Sequence, residues 1–141
     1  MSATADRPAD TDLARRLGIT AGQVVQEFGW DDDVDEDLRL QVESVSGEPL
    51  EDEDSIEVAD VVLVWFRDGD GDLVDTLVDA LTNLGEGGAV WLLTPKLGRP
   101  DHVEPGDIEE AAPTAGLHAT SSISACPDWS GTRLASPKGR K

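Results

Sequence analysis

Two unbroken apolar runs, residues 60–66 and 87–94, flank a segment in which Leu73, Leu77, Ala80, Leu81 and Leu84 recur at helical spacing. A strand covered on both faces reads as apolar throughout, whereas the helix joining two such strands shows a single stripe. The pattern therefore predicts a buried parallel βαβ unit. Asp70 or Asp72 can cap its helix, read over 72–84, and Gly85 is a natural stop. Ahead of it, Val34, Leu38, Val42 and Val45 fall at i, i+4, i+8 and i+11, which predicts a helix over 33–46 with one apolar face. Asp33, Asp35 and Glu36 suit the positive end of that helix, and Gly47 ends it.

The remaining elements follow from shorter signals. Residues 23–28 fit a helix at Val24, Val25 and Phe28, but their placement after Ala21 and Gly22 reads better as a first strand. Residues 12–17 predict one helical turn and 48–57 an acidic loop. Pro95 breaks the strand over 89–94, a loop spans 98–106, and a short helix spans 107–114. Strands over 117–126 and 132–135 are separated by the turn formers of 127–131, so they should pair antiparallel. Alternating strands and helices give an α/β fold: one three-layer domain over 12–137, its sheet mostly parallel with a C-terminal antiparallel hairpin. Residues 1–11 have no periodicity and read as a disordered arm, and 138–141 form a short basic tail.

Charge changes this picture more than any other property of composition. Thirty acidic residues oppose eleven basic ones, for a formal charge of -19. Fifteen of the acidic residues lie between Glu27 and Asp60, against Arg39 alone. Such a field disfavours nucleic acid and anionic lipid, and favours a basic protein partner or divalent cations. Solubility, or adaptation to a salty cytosol, is the simpler explanation. Cys126 is the single cysteine, which excludes an intrachain disulfide and suits a reducing compartment. The start of the chain lacks a basic segment followed by an apolar one, and no apolar run is long enough to span a membrane. A cytoplasmic location is the expectation.

Functional groups of such folds gather beyond the carboxyl ends of the strands. Here those ends carry Trp30, Asp31, Arg67, Thr94, Lys96, Asp128 and Trp129. Arg67 and Lys96 could clamp an anion beside Trp30 and Trp129, or could neutralise Asp31 and Asp128 and hold the loops together. Trp65 and Trp91 lie inside strands and read as core. Asp32, Asp33, Asp35, Glu36 and Asp37 form a candidate acidic interaction surface. No metal site is predicted. A calcium loop beginning at Asp68 would need glycine at position 6 and finds Leu73, and one beginning at Asp31 finds Glu36. His102 and His118 have no companion ligands nearby, Cys126 has no evident base, and the serines match no nucleophile elbow.

The order of elements resembles the class I methyltransferase-like Rossmann fold. The segment Leu84-Gly-Glu-Gly-Gly-Ala-Val-Trp-Leu92 is similar to that family's apolar strand and the residues before it, with Glu86 where proline is common. More narrowly, residues 17–23, 91–96 and 128–134 resemble the bacterial domain-of-unknown-function family 3052. Its pattern of tryptophan, three residues, proline and lysine is matched by Trp91, Pro95 and Lys96. The methyltransferase resemblance implies a glycine-rich turn after the first strand. Here that turn, residues 27–33, has Gly29 alone, then an indole and three carboxylates, which repel phosphate and disfavour S-adenosylmethionine. No cofactor is expected. The leading expectation is a non-catalytic acidic regulatory or adaptor protein that binds a basic protein partner. One alternative is a small-molecule-binding or S-adenosylmethionine-dependent methyltransferase-like enzyme, and another is an acidic mimic of nucleic acid.

Overall fold

A computed structural model describes residues 12–136. The expected arm over 1–11 and basic tail over 138–141 lie outside the described residues. In chain order the elements are α1 (Asp12–Arg16), β1 (Val25–Phe28), α2 (Glu36–Ser46), β2 (Ala59–Trp65), α3 (Leu73–Ala80), β3 (Leu84–Pro95), α4 (Pro105–Thr114), β4 (His118–Cys126) and β5 (Trp129–Ala135). They form an α/β fold around one five-stranded sheet in the order β1-β2-β3-β5-β4.

β1, β2 and β3 pair in parallel, whereas β5 runs antiparallel to both β3 and β4. Two pairings of each kind make the sheet mixed rather than mostly parallel. The physical reason is the two-residue link between β4 and β5. It is too short for a crossover and forces a hairpin, and that hairpin inserts β5 rather than β4 beside β3.

Alternation along the strands divides the core in two. Val61, Leu63, Trp65, Trp91 and Leu93 face α1 and α2, whose Ala14, Leu38 and Val42 are buried against them. Val62, Val64, Val90, Leu92 and Leu134 face α3 and α4, covered by Leu77, Ala80, Ile108 and Ala112. All four residues of the predicted stripe, Val34, Leu38, Val42 and Val45, reach the first of these cores.

Element ends differ from expectation for identifiable reasons. Asp35 accepts a hydrogen bond from the Leu38 amide at 2.9 Å, so α2 starts at Glu36 and Asp33 and Val34 belong to the preceding turn. Asp72 caps α3 in the same way. α3 stops at Ala80 because Leu84 already pairs with the sheet: β3 begins there, opposite Ala59, passes an irregularity over the glycines and runs for twelve residues. Pro95 stays within β3 opposite Trp129, and its carbonyl accepts a hydrogen bond from His102 Nδ1 at 2.8 Å. α4 begins two residues early, with Pro105 in its first turn.

Candidate functional site

The turn between β1 and α2 is shaped by Gly29. Its φ is +78°, and a Cβ there would sit 2.2 Å from the Trp65 carbonyl oxygen, so any side chain would collide with backbone. Both backbone groups of Gly29 are occupied: its amide donates to Glu53 at 2.8 Å, and its carbonyl accepts from Arg67 Nη1 at 2.9 Å.

Arg67, at the end of β2, organises this edge. Its side chain is buried and also donates to Asp33 through Nε (2.9 Å) and Nη2 (2.5 Å), and to Asp70 (3.1 Å) and the Trp65 carbonyl (3.2 Å) through Nη1. The guanidinium carbon lies 5.3 Å from the centre of the Trp129 ring. The hydrogen bonds from Arg67 hold the Asp33 carboxyl below the usual carboxylate range, and Asp33 in turn raises Arg67. Arg67 therefore ties loops together, with Asp33 and Asp70 as its partners in place of the expected Asp31 and Asp128.

A second ion pair lies deeper and is not among the sequence-predicted site residues. Glu27 is a buried carboxylate in β1 that receives Arg39 at 2.7 and 2.8 Å and the Trp65 indole at 2.8 Å. The signal that could have found it is a charged residue inside an apolar strand, twelve positions before the one cation of the acidic half.

The expected site residues are not gathered in one place. Trp30, Asp31 and Arg67 share the wall of a cavity of about 310 Å³ with Phe28, Glu53 and Asp79. Thr94 lines a different cavity, near β5 and α4. Lys96 donates to Ser124 Oγ, and its amide to the Asp128 carbonyl. The Asp128 carboxylate pairs with Arg99 at 3.2 Å. Trp129 corrects the expectation of a loop tryptophan: it opens β5, is 2% exposed, and packs edge-on against Trp65 with ring centres 4.9 Å apart. The hairpin is tighter than the turn formers suggested, so its indole turns into the core instead of lining a surface.

The acidic residues also carry structural roles. Asp33 holds Arg67, Asp35 caps α2, and Asp37 accepts from Gln41 at 3.2 Å. Glu36 pairs with Arg39 at 2.9 Å and accepts from the Trp30 indole at 3.3 Å. Asp31 and Asp32 are exposed and pair with no cation among the described residues. Trp30, next to Asp31 in the chain, is 50% exposed, and Leu40, on α2 one turn beyond Glu36, is 62% exposed. Across the turn, where Glu53 reaches Gly29, Ile56 is 91% exposed. Segment 48–58 contributes one bridge residue to the sheet, Glu51 opposite Gln26, and no further strand. Cys126 is buried, and burial pushes its thiol up to about 12. Among the described residues there is no group of three or more metal-ligating side chains, and no helix is long and apolar enough to cross a membrane.

Residues 14–138 match the family described as "Protein of unknown function (DUF3052)". The chain belongs to that family. Uncharacterised proteins of Mycobacterium bovis and Mycobacterium tuberculosis are 55% identical to it over 130 residues, covering 92% of this chain and 82% of theirs. Among solved structures, it is similar to a magnesium protoporphyrin IX methyltransferase from Synechocystis, with a TM-score of 0.57 at 11% identity over 92% of this chain and 78% of the other. A TehB-like methyltransferase from Corynebacterium glutamicum gives 0.55 at 14% identity over 89% and 86%. At these identities the likeness establishes the methyltransferase-like Rossmann fold, as the sequence resemblance implied, and the fold alone.

Proposed function

We propose that this DUF3052 protein is a non-catalytic adaptor or regulator that docks a basic protein partner on the acidic face around Trp30. The observation that carries the reading is the setting of Trp30: a half-exposed indole, held by Glu36, next to the surface carboxylates of Asp31 and Asp32, with the exposed Leu40 one helical turn beyond Glu36. Exposed aromatic and aliphatic side chains within a charged rim have the composition of a binding surface. The strand-end turn supports the non-catalytic part. Its one glycine has both backbone groups engaged, Trp30 follows directly, and the Arg67 guanidinium lies across the strand ends. These residues leave little open backbone for S-adenosylmethionine to approach at the strand end. Asp32, Glu36 and Asp37 give the face its charge, while Asp33 and Asp35 shape it.

The test is affinity capture of the tagged protein from its host lysate, with washes at low and then high salt. The wild-type protein should retain a stoichiometric basic partner that salt releases. Asp31→Lys combined with Asp32→Lys, and separately Trp30→Ala, should lose it while melting close to the wild type, because their hydrogen bonds, the Asp32 amide to Asp31 and the Trp30 indole to Glu36, are local and exposed. Undiminished retention by the charge-reversed protein would overturn the docking face. The alternative, a small-molecule-binding or methyl-transferring enzyme, draws on the cavity of about 310 Å³ beside Trp30. Saturable thermal stabilisation by S-adenosylmethionine, weakened by Trp30→Ala, would favour it.

A further inference from the structure

The hairpin lays an unusual surface beneath the start of α4. In register across β3, β5 and β4, Thr94 stands opposite Ser130, which stands opposite Ser124; in the next row Thr132 stands opposite Ser122. All five hydroxyls therefore share one sheet face, the face that further down carries Leu92 and Leu134 into the core with α3 and α4. The face is not sealed. A cavity of about 360 Å³ separates it from Val103, Pro105 and Ile108, with His102 at its side.

Two observations point to a ligand there. Thr94 is 3% exposed and Thr132 is 8% exposed, yet neither hydroxyl has a hydrogen-bond partner among the described residues. Among the described residues the one fully enclosed unpartnered side-chain atom is Gln26 Oε1, elsewhere in the fold. The two threonine hydroxyls thus retain open surface, and the cavity they line is where it lies. Each can therefore donate to, and accept from, a molecule held in the cavity. Second, Lys96 has no carboxylate partner among the described residues of this strongly acidic chain. Its ammonium donates to Ser124 Oγ, a lining atom, and so stands at the cavity's edge. His102 Nδ1 is committed to the Pro95 carbonyl, and its other nitrogen lies 3.8 Å from the exposed Glu104 carboxylate.

We infer that this cavity binds a small carboxylate with an apolar body, its head between Lys96 and the Ser124–Ser130 hydroxyls and its body against Val103 and Ile108. The volume lies within the range of small-molecule sites, and the mix of apolar floor and few converging polar groups is their usual chemistry. Lys96 supplies the charge that the overall field denies an anion, and it acts at contact distance, where screening by salt is weak. The site is separate from the acidic face around Trp30, so its failure leaves the docking proposal standing, and the converse holds.

The test is amide chemical-shift mapping on the full chain titrated with 2-naphthoate and, separately, with its uncharged counterpart 2-naphthamide. Naphthoate should shift the amides of Thr94, Val103, Ile108, Ser130 and Thr132 saturably. Lys96→Gln should weaken naphthoate by about tenfold and leave naphthamide unchanged, the size expected for one charge-assisted hydrogen bond. Thr132→Val, which keeps shape and removes the hydroxyl, should weaken both while the protein melts as the wild type. Absence of shifts at millimolar naphthoate, shifts centred on Trp30 and Arg67, or equal affinity for the amide would each overturn the inference.

Discussion

Arg67 shows how one side chain can close a strand end. The three nitrogens of a flat guanidinium make five contacts with two carboxylates and two backbone carbonyls, so removing it would strand several acceptors at once. The Arg67–Asp33 pair also makes a pH prediction. Asp33 is depressed in the folded protein, whereas an unfolded aspartate titrates near about 3.9. Between those two values the unfolded chain binds more protons, so stability rises with pH. The contribution is full above the unfolded value and is lost as pH falls through the folded one. Urea midpoints measured downward from about pH 5 should fall less steeply for Asp33→Asn than for the wild-type protein. Parallel slopes would mean that the pair contributes nothing to acid stability. The sequence allows both cationic roles for Arg67, and the loop-holding one is what the geometry shows. Its partners are not legible in the sequence, because Asp31, Asp33, Asp68 and Asp70 are equivalent until the turn at Gly29 selects among them.

Among the elements, α1 is too short to be stable alone, and its attachment explains how it persists. Gln41, buried on α2, accepts from the amides of Leu13 and Ala14 at 2.9 and 3.3 Å, so a side chain from another helix caps α1. Replacing Gln41 with Met keeps the shape and removes the acceptor. Hydrogen exchange at Leu13 and Ala14 should then accelerate about fivefold, as loss of a cap worth ~1 kcal/mol implies, with global stability changing far less. Unchanged protection at both amides would show that packing of Ala14 and Leu17 alone holds the helix. The α2 stripe is readable because helical periodicity reports a buried face directly. The long β3 is not, because Gly85, Gly87 and Gly88 weaken every local signal, and only the pairing of Leu84 with Ala59 and of Ala89 with Val61 on either side of them carries the strand across.

At the scale of the whole chain, a charge of -19 acts on every equilibrium the protein enters. Only a few carboxylates have a cation in contact: Glu27 and Glu36 with Arg39, Asp33 and Asp70 with Arg67, and Asp128 with Arg99 among the described residues. Repulsion among the other carboxylates outweighs these attractions. The melting temperature should therefore rise as sodium chloride increases from about 10 to 300 mM, over which the screening length falls from roughly 30 to below 8 Å. A falling melting temperature would show that the ion pairs outweigh the repulsion. The same screening weakens the proposed docking of a basic partner, so salt should act with opposite sign on folding and on binding.

Hydrophobic periodicity and turn residues were enough for the α/β class, the two strands flanking α3, the amphipathic α2, the closing hairpin and the burial of Trp65 and Trp91. Each of these rests on residues close together in the chain, and local sequence reports local geometry. Assembly decided the rest: the mixed pairing of the sheet, the burial of Trp129 against Trp65 and Arg67, the Glu27–Arg39 pair, and the row of hydroxyls that joins Thr94 to Thr132. Those features depend on strand register and on contacts between distant residues, and nothing in a linear pattern distinguishes one register from its neighbours until the core closes around it.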